Sequence, residues 1–168
     1  MLVETERLII RKLDSDDEAL LYDYSREKTL RDELPDQVYD NLNEAHEVVE
    51  YLCANYNTTP QRYPLVYGIE LKHTKTLVGH VGLSEIKAGI EIGYAVGMNY
   101  QGNGYATEAV GAFVKWAKEN LGLNALYGIV KESNTRSQQV LLRNHFILQN
   151  EMYAESFGGL YRNKIYIL

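Results

Sequence analysis

The sequence predicts an α+β fold on a mixed, mostly antiparallel sheet, and three observations predict it. Between Leu65 and Val96, strand-like runs follow one another through links short enough to imply antiparallel pairing. A glycine-rich turn then opens a long amphipathic helix that runs on to another strand, the pattern of a right-handed crossover between parallel strands. The first third of the chain sets two helical stretches after a single strand. The 168 residues, with three prolines and no low-complexity run, are read as one folded domain over 1–168.

The elements follow in order. Arg7 to Leu13 opens with Leu8, Ile9 and Ile10 and reads as the first strand. Ser15-Asp16-Asp17-Glu18 has the form of a capping box, placing Ala19, Leu20, Tyr22 and Tyr24 on the helix it starts. A second helix is expected from Asn43, where Ala45, Val48, Val49, Leu52, Cys53 and Tyr56 recur at helical spacing, and Asn57 to Pro60 ends it. The meander comprises Leu65 to Leu71, Leu77 to Ile86 and Ile90 to Val96. In its last run Ile90, Ile92, Tyr94 and Val96 alternate with Glu91, Gly93 and Ala95, so one face is bulky and the other carries a carboxylate and little else. A strand so bare on one side leaves room for a ligand. The helix after the glycine turn places Ala106, Ala109, Val110, Phe113, Val114, Ala117 and Leu121 on one stripe and stops at Gly122. Ala125 to Val130 is the next strand, Ser133 or Asn134 caps a helix through Leu142, and Phe146 to Met152 and Lys164 to Leu168 are the last strands, joined through Ser156 to Gly159.

Composition excludes several classes of function. A net charge of −6 argues against nucleic-acid binding, which needs clustered Lys and Arg, and suits a cationic amine substrate as well as plain solubility. No window approaches the roughly 18 apolar residues of a membrane span, and the N-terminus lacks the basic start and apolar run of a secretion signal, so a cytoplasmic protein is expected. Cys53 is alone and cannot form an internal disulfide. His46, His73 and His80 show no metal-ligand spacing, so no metal is expected. His80 is open to two readings, a cleft residue or a hydrogen-bonded sheet histidine. The 14 tyrosines suit strands and cleft walls alike.

The chemistry concentrates at Tyr100-Gln101-Gly102-Asn103-Gly104-Tyr105-Ala106-Thr107-Glu108. A phosphate needs several N–H donors aimed one way, and a glycine turn entering a helix N-terminus supplies them with the positive end of the helix dipole. Taken alone, two glycines before a helix also describe a plain turn. A Rossmann site fits poorly, because the preceding strand ends a meander, and a Walker A site fails for want of Gly-Lys-Ser/Thr.

Gln101-x-x-Gly104-x-Ala106 resembles the Gln/Arg-x-x-Gly-x-Gly/Ala motif of the GCN5-related N-acetyltransferases (GNAT). Glu4-Thr5-Glu6-Arg7-Leu8-Ile9-Ile10-Arg11, Gly79-His80-Val81-Gly82-Leu83, Glu91-Ile92-Gly93-Tyr94 and Gly104-Tyr105-Ala106-Thr107-Glu108-Ala109 resemble the ribosomal-protein (RimJ/RimL-like) branch, which also contains spermidine and other small-amine acetyltransferases. The resemblance spans essentially the whole chain. It implies a sheet with a central splayed parallel strand pair, helices on both faces, and acetyl transfer from acetyl-CoA to a primary amine (a protein N-terminus, a polyamine or a small amino metabolite) by direct attack in a ternary complex. By motif position, Ala95 and Val96 would meet the pantetheine and thioester, and Gln101, Gly102, Asn103, Gly104, Tyr105, Ala106 and Thr107 the pyrophosphate of coenzyme A. Asn134 would bond the pantetheine arm as well as cap its helix. Helix 43–56 and the link 57–63 stand where relatives form a wall of the acceptor site.

The chain departs from the family at two positions. Leu141 stands where many members carry a proton-donating tyrosine, seven residues after the asparagine, and His145 stands where a glycine is usual. Ser137 matches a serine of the ribosomal-protein members, and its hydroxyl is read as a hydrogen-bond donor to the departing thiolate. Glu91 is the first candidate for the general base, with Glu85 and Glu155 in reserve and His145 a weaker one. A different class of function, a catalytically silent acyl-CoA sensor, is the alternative that Leu141 motivates. A final strand at Lys164 to Leu168, if exposed, would allow a homodimer.

Overall fold

The computed structural model describes residues 2–156 and 159–168. β1 (Val3–Glu4), β2 (Leu8–Lys12), β3 (Leu65–Leu71), β4 (Leu77–Ile86) and β5 (Gly89–Val96) form a continuous antiparallel run. β6 (Tyr127–Lys131) joins β5 in parallel, β8 (Gly159–Ile167) pairs with β6, and β7 (Ile147–Ser156) pairs with β8, completing an eight-stranded sheet of order β1-β2-β3-β4-β5-β6-β8-β7. The α+β class and the mixed, mostly antiparallel sheet stand as expected.

Helices cover both faces. On one, α1 (Glu18–Ser25) and α3 (Leu42–Asn55) bury Leu21, Val49 and Leu52 against Leu13 and Leu77, with α2 (Lys28–Glu33) following α1. On the other, α4 (Tyr105–Leu121) buries Ala109, Val110, Phe113, Val114 and Ala117 against Val81, Leu83 and Ile92, and α5 (Thr135–Arg143) adds Leu141. The apolar stripe of α4 is the one its sequence period predicts, and it ends at Gly122 in the left-handed conformation (φ 66°) that glycine adopts without strain.

Several expectations are corrected. The capping box starts at Asp14, whose extended backbone (φ −143°) leaves β2 and whose carboxylate accepts from Asp16 N–H at 3.0 Å, and it caps a short 3-10 turn over Ser15–Asp17 that leads into α1. Asn41 caps α3, accepting from Glu44 N–H at 3.0 Å, so that helix begins at Leu42. β1 and α2 were not foreseen, being too short for periodicity to register. β7 and β8 are longer than the apolar runs that mark them, because a two-stranded hairpin continues on backbone pairing after its polar residues begin. Residues 157 and 158 of the expected Ser156 to Gly159 connection lie outside the described residues. The final strand is not an exposed edge: β8 lies between β6 and β7, so Lys164 to Ile167 already has partners on both sides.

One buried ionic cluster fastens β2 to β3 and the turn before α1. Arg11 donates from Nε to Glu70 at 2.7 Å and from both terminal nitrogens to Asp17 at 2.7 and 2.8 Å. The Asp17 side chain is 4% exposed and that of Glu70 11%. Hydrogen bonding to Asp17 raises the guanidinium pKa beyond its already high ordinary value. Arg11→Ala strips the cation from two carboxylates and is expected to destabilise the fold by roughly 3–5 kcal/mol. Urea unfolding measures this, and a loss below about 1 kcal/mol, the range of exposed pairs, would contradict it.

Candidate active site

β5 and β6 pair at a single position, Glu91 with Tyr127, and part beyond it. Their separation opens a cavity of about 1140 Å³ bounded by residues 91–96 of β5, 128–131 of β6 and the N-terminal turns of α4 and α5. Gly79 opposite Val96 is a non-hydrogen-bonded pair, since the next N–H, that of Gly97, goes to Val78 O at 2.9 Å. The N–H of Val96 therefore faces away from β4 and into the gap. The register also sorts the side chains. Tyr94 and Ile92 lie opposite Val81 and Leu83 on the face of α4 and α5, while Glu91, Gly93 and Ala95 lie on the face of α1 and α2. Gly93 has nothing within 4 Å of an ideal Cβ, which makes the bare face expected from the sequence a physical opening.

At the α4 end, Gly102 (φ 80°) and Gly104 (φ 79°) hold the left-handed turn, and Gly104 is the N-cap of α4 without any side-chain cap. No backbone bond is made by the N–H groups of residues 102–107 among the described residues. The helix start thus carries its orphan donors uncapped, the arrangement that takes an anion. Gln101, Gly102, Gly104, Tyr105, Ala106 and Thr107 line the cavity; Asn103 does not, and its amide turns back to Tyr100 O and Gln101 O. Gln101 latches the loop: Nε2 donates to Val96 O at 2.9 Å and Oε1 accepts from Arg136 at 3.0 Å.

A clamp that no local pattern revealed fixes this loop from outside. Glu108 accepts from the Thr5 hydroxyl at 2.6 Å, Arg7 N–H at 3.0 Å and Arg7 Nε at 2.7 Å. Arg7 also donates to Asn103 O at 2.9 Å and lies over the Tyr105 ring. Burial opposes the Glu108 charge, but the bonds from Thr5 and Arg7 prevail and hold its carboxyl below the usual range. The Thr5-Glu6-Arg7 and Thr107-Glu108 segments, read in sequence as two separate matches, are thus the two halves of one contact.

Asn134 caps α5, its Oδ1 accepting from Ser137 N–H at 3.0 Å, while its Nδ2 makes no hydrogen bond among the described residues. The Ser137 hydroxyl meets Tyr94 Oη at 2.9 Å across the gap. Leu141 is fully buried against Gly128, whose added Cβ would lie 2.7 Å from it, so this position contributes apolar floor and no proton.

Glu91 lines the gap; burial pushes its carboxyl above the ordinary range, and the backbone N–H of Ile129 pulls it partly back. Glu85 is exposed and does not line the cavity, which removes it as a reserve base. The side chain of Glu155 lies outside the described residues. His145 (φ 66°) takes the left-handed place of the usual glycine after α5 and borders a separate, smaller cavity, away from the gap. His80 makes no hydrogen bond among the described residues, contrary to the sheet-histidine reading; burial lowers it to about 4 and keeps it neutral, and it does not line the cavity.

Residues 43–63, expected as a wall of the acceptor site, stand apart from this cavity. None of residues 42–63 lines the cavity; Thr29, Leu30, Glu33 and Leu34 at α2 do. They are tied to the end of β5 by Glu27, which accepts from Met98 N–H at 2.7 Å, and by the Tyr24 ring, which packs where a Gly97 Cβ would stand. Among the described residues no group of His, Cys, Asp and Glu is placed to hold a metal, and no helix is long and apolar enough to cross a membrane.

The acetyltransferase (GNAT) domain family matches residues 7–147. An uncharacterised N-acetyltransferase of Bacillus subtilis, YoaA, is 28% identical over 98% of this chain and 94% of its own. Among solved structures, RimL, the ribosomal L7/L12 alpha-N-protein acetyltransferase in complex with coenzyme A, superposes with a TM-score of 0.85 at 20% identity over 99% of this chain and 96% of that one. The spermidine N-acetyltransferase of Vibrio cholerae, in complex with CoA and spermine, superposes at 0.82 and 18% identity over 98% and 96%. The splayed pair, the uncapped glycine turn and the family match over most of its length agree: this chain belongs to the GNAT family and is an acetyl-CoA-dependent N-acetyltransferase.

Proposed function

We propose that the protein transfers the acetyl group of acetyl-CoA to a primary amine by direct attack in a ternary complex. The observation that carries this reading is a gap at the splayed strands that is bordered on one face by an uncapped helix N-terminus and on the other by a largely buried carboxylate. The residues fit the cosubstrate. The free N–H groups of Gly102, Gly104, Tyr105, Ala106 and Thr107 suit a diphosphate, Arg7 and Gln101 hold that turn in shape, and the free amide nitrogen of Asn134 suits a carbonyl of the pantetheine arm. Acetyl-CoA supplies an activated thioester carbonyl. Val96 N–H, facing the gap beside Ala95, donates to the oxygen of that carbonyl as negative charge develops on it.

Glu91 accepts the proton that the attacking amine loses, directly or through one water, and its raised pKa brings it nearer the working pH than an ordinary carboxylate. Ser137 donates a hydrogen bond to the thiolate as the C–S bond breaks. A serine hydroxyl is too weak an acid to do more, and a thiolate is a fair leaving group. On the acceptor side Glu33 and Glu91 favour a cation, consistent with the spermine held by one structural relative and the protein α-amine acetylated by another.

The reading is tested by release of free thiol from acetyl-CoA in the presence of N-terminal peptides, polyamines, aminoglycosides and amino acids in turn. Turnover of at least one amine well above the hydrolytic background is expected. Tight coenzyme A binding with no turnover across the panel would favour the sensor that Leu141 suggests.

A further inference from the structure

Tyr94 leaves β5 on the face of α4 and α5 and reaches the first turn of α5, where its Oη lies 2.9 Å from Ser137 Oγ and 3.0 Å from the Ser137 carbonyl oxygen. Both side chains line the gap. We infer that Tyr94 is a positioning residue for departure of the thiolate, holding the Ser137 hydroxyl so that its proton is directed into the gap. The inference rests on the reading of Ser137 given under Proposed function.

The argument starts from the serine. A hydroxyl near a helix N-terminus is a free rotor with one proton, and without a partner it turns back onto a nearby backbone carbonyl. Asn134 fixes the backbone of Ser137 but leaves the side chain free. Tyr94 supplies what is missing. Its single proton lies between two acceptors, the Ser137 carbonyl oxygen and Oγ; shared between them in a three-centre bond, it occupies a lone pair of Oγ, fixes the rotamer and leaves the serine proton as the donor offered to the cavity. Leu141, at the position where the family places an acidic phenol, has no proton to offer, so Ser137 acts without that help.

Tyr94 is a hydrogen-bond donor here and not an acid. Burial pushes its phenol up to about 12. An alkyl thiol ionises near 8.5, so the proton stays on the phenol. The balance of the step is then simple. The C–N bond forms, the C–S bond breaks, the amine proton goes to Glu91, and the thiolate leaves as an anion hydrogen-bonded to Ser137, which in turn accepts from Tyr94. No proton is lost by either hydroxyl.

The test compares Tyr94→Phe, Ser137→Ala and the double variant. Tyr94→Phe is expected to lower kcat roughly tenfold, the worth of one good hydrogen bond, with KM for the amine and Kd for acetyl-CoA within about twofold of the parent. The double variant is expected to be no slower than Ser137→Ala alone, because the two hydroxyls act as one unit. A second readout needs no turnover: titration of the thiol of bound coenzyme A by thiolate absorbance, in which Tyr94→Phe and Ser137→Ala raise the thiol pKa by the same amount. An unchanged kcat in Tyr94→Phe, multiplicative losses in the double variant, or a thiol titration that Tyr94→Phe leaves unmoved would each overturn the proposal. If no amine is acetylated, the reading of function fails while the titration still decides on Tyr94. If coenzyme A does not bind, both fail.

Discussion

Glu91→Gln is expected to lower kcat by ~10²–10⁴-fold, the range of a positioned general base, while leaving acetyl-CoA binding intact. The amide is isosteric and still offers an oxygen to the N–H of Ile129, so the strand pair keeps its geometry. The pH dependence separates loss of a base from loss of structure. A general base acts only when ionised, and burial raises the Glu91 pKa, so with Glu91 in the proposed role parental activity is expected to fall as the pH drops through a value above the ordinary carboxylate range. In the glutamine variant that limb disappears, and the residual rate follows only the ionisation of the amine. Stability moves in the opposite sense. A carboxyl whose folded pKa is raised binds its proton more tightly in the native state, so its ionisation costs stability as pH rises from the unfolded to the folded value. Removing the charge makes the variant at least as stable as the parent at neutral pH. A kcat within threefold of the parent with an unaltered pH profile would move the base elsewhere.

Gly104→Val is expected to weaken acetyl-CoA binding about 100-fold or more, read by calorimetry, which corresponds to roughly 2.7 kcal/mol. The backbone carries the cause. Gly104 sits at φ 79°, where a β-branched residue is strongly disfavoured, while an added Cβ meets only Arg7 Nη2 at 3.5 Å, an ordinary contact. The substitution therefore does not clash; it drives the turn out of the left-handed region and disperses the N–H groups proposed to converge on the diphosphate. Losing one or two charge-assisted hydrogen bonds accounts for the expected magnitude. The fold survives, because the turn is on the surface and α4 is held by Phe113 and its neighbours in the core. Unchanged affinity would remove this loop from the cosubstrate site.

Much of this was legible in the chain itself. The three meander strands stand almost residue for residue where alternation and short links place them, since antiparallel neighbours joined by tight turns are a local problem. The glycine turn and the stripe of α4 are local as well. Other features were visible in composition but misassigned in place. The cap of the first helix falls on Asp14 because β2 continues in extended conformation up to it, and periodicity does not register the six residues of α2, although this helix and not α3 lines the gap.

By itself, the sequence determined the order of elements, the glycine turn at Gln101 to Thr107 and the family. Each of these resides in contiguous residues whose side-chain types and spacing carry the information. Only the tertiary structure decided that Thr5 and Arg7 grip Glu108, about a hundred positions away, that Tyr94 reaches Ser137, that β8 lies inside the sheet with β7 at the edge, and that Glu91 rather than Glu85 borders the gap. The physical reason is common to all four. Each depends on which strands become neighbours and which face of a strand a side chain occupies, and a single-residue change of register would reverse the choice between Glu91 and its alternatives while leaving the local pattern unaltered.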